Sequence, residues 1–271
     1  MSNKIKPPIR WVGGKTKLLT QIKNHIPIFS GKYFEPFVGG GALLFNLLPS
    51  SAVAADSNSE LINFYNQIKT NYINVCTEAN LFANNLDTFY KIRNLDLAEN
   101  FKTSSNAHHA ARFLYLSKTS FQGLWRVNSK GHYNTSYGKL KNYNIDFNYF
   151  KNFSNKIQNI DFICEDFEKT VSSASSNDFV YFDPPYIPIS TTSNFTTYTS
   201  SGFNHLEQTR LLNVCKDLDK KNVKFILSNS DCEASRELYK DFKIETVSTQ
   251  RLIAGKASAR GKITEILVKN Y

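Results

Sequence analysis

The four cysteines of this 271-residue chain, Cys76, Cys164, Cys215 and Cys232, are scattered, with no CxxC pair and no histidine at metal-ligand spacing. That scatter excludes a disulfide framework and a zinc site, so a reduced, metal-free, cytoplasmic protein is expected. Long apolar runs are missing too. Nothing approaches the roughly 20 residues of a membrane span, and the opening "MSNKIKPPIR" lacks the apolar stretch of a secretory signal. Acids are scarce in one region: between Ser117 and Asn159, Lys118, Arg126, Lys130, Lys139, Lys141, Lys151 and Lys156 stand against a single acid, Asp146. More than half of the net charge of +10 is concentrated there, and a pI of about 9.3 favours an anionic partner, nucleic acid first.

A hydrophobic fraction of 41% with 14% aromatics is ample for a packed core. The length exceeds that of a usual single domain and points to one α/β domain with a sizeable insertion or to two small domains. Short apolar or β-branched runs bounded by turn residues predict strands at "KYFEPF", "SAVAAD", "IDFICED", "DFVYFD", "VKFILSNS", "KIETV" and "ITEILVKNY". Several are unbroken rather than alternating, as strands covered on both faces should be. Between them lies helical periodicity. Ser57 and Glu60 are spaced as a capping box ahead of Leu61, Phe64, Ile68, Tyr72, Val75 and Ala79, and Asn204 with Glu207 repeats that signal before Leu211, Val214, Cys215 and Leu218. The pattern breaks from residue 61 to 159, where "HHAARFLYLSKT" precedes the glycine-punctuated "FQGLWRVNSKGHYNTSYGKLKNYN". The expected division is a catalytic unit of residues 1–60 and 160–271, with 61–159 inserted.

Three stretches carry chemistry. In "YFEPFVGGGALLF", Gly39, Gly40 and Gly41 lie between a strand ending near Phe37 and a helix beginning near Ala42, where backbone can approach a ligand at the carboxyl edge of a sheet. Asp56 ends the next strand, where a carboxylate can accept both hydroxyls of a ribose. Loop plus acid reads as a site for a nucleoside-bearing cofactor. "RWVGGKTKLL" looks like a P-loop only in part, because Ile9 stands where the pattern needs a glycine and no strand precedes it. Trp11 and Lys15, beside a Gly-Gly turn, are instead expected to close over a ligand, with Lys15 meeting a carboxylate.

The third stretch is "DPPY". A strand delivers Asp183 to the sheet edge, Pro184 and Pro185 fix the backbone, and Tyr186 follows as a flat face. Asp183 and the Pro184 carbonyl make two fixed acceptors beside a stacking platform. An exocyclic amine on a planar base suits that site, because its lone pair is delocalised into the ring. Two acceptors on its hydrogens favour the pyramidal, nucleophilic form and stabilise the positive charge that develops during attack. Such an amine in a duplex is reached only if its base is flipped out.

These motifs, with "AADSNSELINFY" and the closing "TEILVKNY", resemble the DNA adenine-N6 methyltransferases of the Dam type, in that family's order and over nearly the whole chain. The resemblance implies S-adenosylmethionine as methyl donor, double-stranded DNA as substrate, and a Rossmann-like methyltransferase sheet ending in an antiparallel strand. The insertion would be a mainly helical target-recognition domain carrying a β-hairpin. By position, the cofactor contacts would be Trp11, Lys15, the loop from Phe37 through Gly39 to Gly41, Asp56, Asp166, Phe167 and Asp183, with Asp183, Pro184, Pro185 and Tyr186 at the chemistry. Arg126 would read a guanine edge, and Phe121 and Gln122 would press into the base stack. Trp125, Asn128 and Ser136 share the recognition segment, and Lys118, Lys130 and Lys139 would meet phosphates. GATC is the target the resemblance points to, although Trp125 and Ser136 depart from the Dam pattern.

Methylation of cytosine N4 needs the same amine chemistry and is the nearest alternative; a ribosomal-RNA guanine-N2 enzyme would bring the glycine loop and DPPY closer together. A non-catalytic DNA-binding protein on a decayed scaffold is the reading from another class, opposed by intact Asp56, Asp183 and Tyr186. A single recognition insertion lets a monomer suffice. Such an enzyme either guards DNA against a restriction endonuclease acting on the same site or marks DNA for other purposes.

Overall fold

The computed structural model describes residues 4–139, 143–188, 203–250 and 262–271. Lys141 and the part of the "DPPYIPIS…FTTY…GF" stretch from residue 189 to 202 lie outside them.

All seven strand candidates are strands: β1 Tyr33–Glu35, β2 Ala52–Ala55, β3 Ile160–Ile163, β4 Phe179–Phe182, β5 Lys224–Ser230, β6 Lys243–Gln250 and β7 Lys262–Lys269. They form one sheet in the order β3-β2-β1-β4-β5-β7-β6. The first five are parallel, and β7 runs antiparallel between β5 and β6. This is the methyltransferase-type sheet the sequence led us to expect. Ten helices accompany it among the described residues: α1 Leu19–Asn24, α2 Leu44–Leu47, α3 Ser59–Leu81, α4 Leu86–Arg93, α5 Glu99–Lys102, α6 Asn106–Thr119, α7 Phe147–Lys156, α8 Phe167–Thr170, α9 His205–Lys220 and α10 Glu233–Leu238. No helix among those residues is long and apolar enough to cross a membrane.

The unbroken strand runs are explained by burial on both faces. Tyr33, Phe179 and Tyr181 enter one core with α3, α6 and α7, while their neighbours Phe34, Val180 and Phe182 enter a second core with α9. Period-two alternation sorts a continuous apolar strand between two helical layers. On α3, Leu61, Phe64, Ile68, Val75 and Ala79 are buried and Tyr65 stacks on Phe162 of β3, with ring centroids 4.8 Å apart.

Both helix-start signals need correction in detail. The cap of α3 is Asn58 rather than Ser57: its side-chain oxygen accepts the Leu61 amide at 3.1 Å, and Asp56 accepts the Asn58 amide. Glu60 turns instead to His109. At α9, Asn204 does cap, accepting the amides of Leu206 and Glu207, but the Glu207 carboxylate pairs with Arg210 rather than closing a box.

The glycine-punctuated segment after α6 folds back with two isolated antiparallel bridges, Ser120 to Tyr137 and Val127 to Tyr133. Arg112 of α6, 2% exposed, anchors it. Its guanidinium donates to the carbonyls of Ile92 and Arg93 and pairs with Asp96 at 2.9 Å, and Asp96 in turn accepts the Tyr133 amide at 2.8 Å.

Candidate active site

Four parallel strands end at one edge of the sheet and deliver the predicted residues together. β1 leads into Pro36 to Gly41, β2 into Asp56, β3 into Asp166 and β4 into Asp183. A cleft of about 1100 Å³ runs along this edge, lined by these residues and by Trp11, Lys15, Tyr186 and Glu265. In open α/β sheets ligands bind at that edge.

One wall is the glycine loop. Gly39 and Gly41 adopt φ of +45° and +65°, a conformation that favours glycine. Trp11 lies directly on the loop: a Cβ on Gly39 would stand 2.7 Å from its ring, and one on Gly40 2.9 Å from its Cβ. The glycines therefore admit a side chain of the protein itself. Asp56 accepts the amides of Gly39 and Asn58, each at 3.0 Å, and so ties the loop to the start of α3. Burial raises its pKa, and those amides oppose the rise. Beyond it, Phe37 stacks on Phe167 at 5.3 Å and meets the edge of Phe203 at 5.6 Å, forming an aromatic wall. Asp166, which caps α8, sits beside that wall and pairs with Arg210, whose guanidinium also lies 4.2 Å from the Phe167 ring centre.

The other wall is Asp183 to Tyr186. Lys15, 6% exposed, pairs with the Asp183 carboxylate at 2.8 Å, donates to the Gly13 carbonyl, and lies 4.6 Å from the Tyr186 ring centre. The carboxylate that Lys15 meets is thus one of the chain's own. Burial raises the Asp183 pKa and the Lys15 ammonium opposes it. The Pro185 carbonyl accepts the Gln208 amide at 2.8 Å, and Asn229 accepts the Ile187 amide, so α9 and β5 hold the loop from behind. Two neighbouring acids escaped the sequence reading. Glu35, 2% exposed, accepts the Tyr33 hydroxyl, and its pKa is raised to about 8 by burial. Glu265 accepts the Tyr186 hydroxyl at 2.6 Å. Both stand inside quoted motifs, "YFEPF" and "TEILVKNY", yet only the fold reveals that they face the same cleft. Arg210 and Gln208 carried no local signal.

Of the residues assigned to DNA, Phe121, Gln122, Arg126, Asn128, Lys130, Ser136 and Lys139 are exposed on the segment after α6, and Lys118 is half-buried in the last turn of α6. Arg126 is held by Asn134, donating to its side-chain oxygen at 2.7 Å. Trp125 turns inward, packing on Phe113 at 4.2 Å and Tyr133 at 4.7 Å and lining the cleft. The Asn128 side chain is occupied in its own turn, accepting the amides of Lys130 and His132.

Residues 11–253 match the family described as D12 class N6 adenine-specific DNA methyltransferase. The chain belongs to this family. Among its relatives are the Type II methyltransferase M1.LlaDCHI of Lactococcus lactis subsp. cremoris, 44% identical over 98% of this chain and 96% of that protein. The Type II methyltransferase M.MjaIII of Methanocaldococcus jannaschii is 37% identical over 98% and 99%, and a DNA adenine methylase of Vibrio cholerae is 34% identical over 96% and 94%. A D12 class enzyme is adenine-specific, which decides between adenine N6 and cytosine N4 and sets aside the non-catalytic reading. Methyltransferase chemistry requires a methyl donor, and DNA is the substrate.

Proposed function

We propose that this D12 class enzyme transfers the methyl group of S-adenosylmethionine to N6 of an adenine flipped out of double-stranded DNA, within GATC. The observation that carries the reading is the single cleft in which the Gly39–Gly41 loop, Asp56 and the aromatic wall stand on one side and Asp183 to Tyr186 on the other. A nucleoside donor and a target base need such adjoining places.

The residues fit the donor. Positive-φ glycines shape the loop, Asp56 presents a carboxylate at a strand end, and Phe37 and Phe167 line the cleft with an aromatic surface beside the hydrogen-bond acceptor Asp166. Trp11 covers the glycine loop, and Lys15 closes the opposite end, next to Asp183. When bound, S-adenosylmethionine supplies a methyl group on a cationic sulfonium. Asp183 and the Pro184 carbonyl accept hydrogen bonds from the target amine, restoring the nitrogen lone pair that the ring otherwise withdraws. Tyr186 supplies the stacking surface, and Pro184 and Pro185 keep both acceptors in place as charge develops, so the site needs little reorganisation.

Of residues 61–159, α3 and α7 pack on the sheet in the core of the catalytic unit, so in this reading the recognition domain is the part between them, with Arg126 on a guanine edge, Phe121 and Gln122 at the base stack, and Lys118, Lys130 and Lys139 on phosphates. A monomer acts in the cytoplasm on the two strands in successive events. The Type II methyltransferases among the relatives support a role in restriction-modification, opposite a restriction endonuclease that recognises the same site without touching this chain.

The test is methyl transfer from labelled S-adenosylmethionine to matched duplexes with and without GATC, followed by nucleoside analysis. N6-methyladenine confined to the GATC duplex is the expected result. The same product on a different sequence discards the target assignment and keeps the chemistry, whereas no transfer to any duplex overturns the proposal.

A further inference from the structure

Tyr186 is pinned at more points than a stacking platform on a loop needs. Gln208 holds the Pro185 carbonyl just before it, Lys15 covers one face of its ring, and Glu265 accepts its hydroxyl. Glu265 belongs to β7, opposite Ser230 of β5 and Val247 of β6. Ile266 and Val268 of β7 enter the core beneath α9, and Leu267 enters the other core with Val247. Period-two alternation therefore puts Glu265 on the face of Leu267 and Val247, level with the last residue of β5 and facing the cleft. Among the described residues its side chain forms no ion pair; Lys15 pairs with Asp183, and the Tyr186 hydroxyl donates to Glu265.

We propose that Glu265 is a positioning residue for methyl transfer: by accepting the Tyr186 hydroxyl it fixes the tilt and depth of the ring on which the target base stacks. This rests on the role proposed above for Tyr186. Two torsions separate the ring from its backbone, and the prolines constrain only the backbone. An anchor at the hydroxyl removes the remaining freedom, because it lies at the far end of the lever. With Lys15 on one face, a stacking base takes the other, and the height of that face relative to Asp183 sets how the amine meets its acceptors. A carboxylate serves better than a neutral oxygen, since charge-assisted hydrogen bonds are shorter and stronger.

The test compares single-turnover methyl transfer, with S-adenosylmethionine and a methylatable duplex, for the unsubstituted chain, Y186F, E265Q, E265A and the double variants Y186F/E265Q and Y186F/E265A. We expect E265A and Y186F each to slow transfer by about tenfold or more while the KM for S-adenosylmethionine stays within about twofold. E265Q, which keeps an acceptor oxygen, should fall between E265A and the unsubstituted chain. Neither change at Glu265 should slow Y186F further, because the shared hydrogen bond is already gone. Wild-type rates in E265A, equal rates in E265Q and E265A, or losses that multiply in the double variants each overturn the inference. Should E265A fail to fold by thermal melting, E265Q and Y186F/E265Q decide it: an unchanged E265Q rate, or a further loss in the Y186F background, overturns it. Failure of the proposed function looks different, because then the unsubstituted chain methylates no duplex.

Discussion

Asp183→Asn separates the stability of the active site from its chemistry. The change preserves volume and one acceptor oxygen but leaves the Lys15 ammonium, 7% exposed in its side chain, without its counter-charge. Removing one partner of a buried pair costs about 3 to 5 kcal/mol, and the 19% exposure of the Asp183 side chain to the cleft places the loss near the lower figure. About 3 kcal/mol lowers the melting temperature of a protein this size by roughly 6 to 12 °C. The paired change Lys15→Met with Asp183→Asn removes both charges and should recover most of that loss. Activity should not follow. The amide oxygen that remains carries no charge, so it does not strengthen as positive charge develops on the target amine, and transfer should fall by about a hundredfold to a thousandfold in both variants. Thermal melts and single-turnover methylation of the three proteins make the comparison. A melt for Asp183→Asn within about 2 °C of the parent, or a double variant no more stable than the single one, refutes the claim that the two charges hold each other.

Gly39→Ala should cost about 2 to 4 kcal/mol and weaken donor binding, because a positive φ and a Cβ 2.7 Å from Trp11 act together; Gly131→Ala, with positive φ but nothing within 4 Å, should lose only the smaller backbone part in the same denaturation assay. Arg126→Ala should reduce discrimination at one base pair by about 1 to 3 kcal/mol, read by methylating duplexes substituted at each position, and Asn134→Ala should show a weaker form of the same pattern. Equal losses on every duplex would put Arg126 on a phosphate instead. Glu35 keeps its proton in the folded state up to about pH 8, while in the unfolded chain it releases that proton near its ordinary value of 4.5. The native state therefore binds the extra proton between those values, and its stability falls as pH rises through that window. Glu35→Gln should flatten the dependence by up to about 1.4 kcal/mol per pH unit, and parallel urea-midpoint curves for the two proteins would contradict the assignment.

The sheet was legible in the sequence because its strands are short apolar runs bounded by turn residues, a local signal that needs no knowledge of partners. DPPY and the glycine loop were equally legible, since prolines and glycines constrain backbone wherever they stand. The α3 cap was misplaced by one residue because Ser57 and Asn58 both suit a cap, and only the Asp56 side chain, by taking the Asn58 amide, chooses between them. Trp125, assigned to DNA by its neighbours in sequence, packs inward because Phe113 of α6 and Tyr133 across the fold-back offer it an aromatic seat.

The sequence by itself determined the chemistry: an acid, two rigid residues and an aromatic at a strand end, a glycine loop before a helix, and a basic stretch between them. What only the tertiary structure decided is which side chains share the cleft. Lys15 meets Asp183 across 168 residues, Glu265 meets Tyr186 across 79, and Arg210 meets Asp166 across 44. Such pairs leave no periodic trace, because they arise from the order in which strands enter the sheet, where β4 lies beside β1 and β7 inserts between β5 and β6.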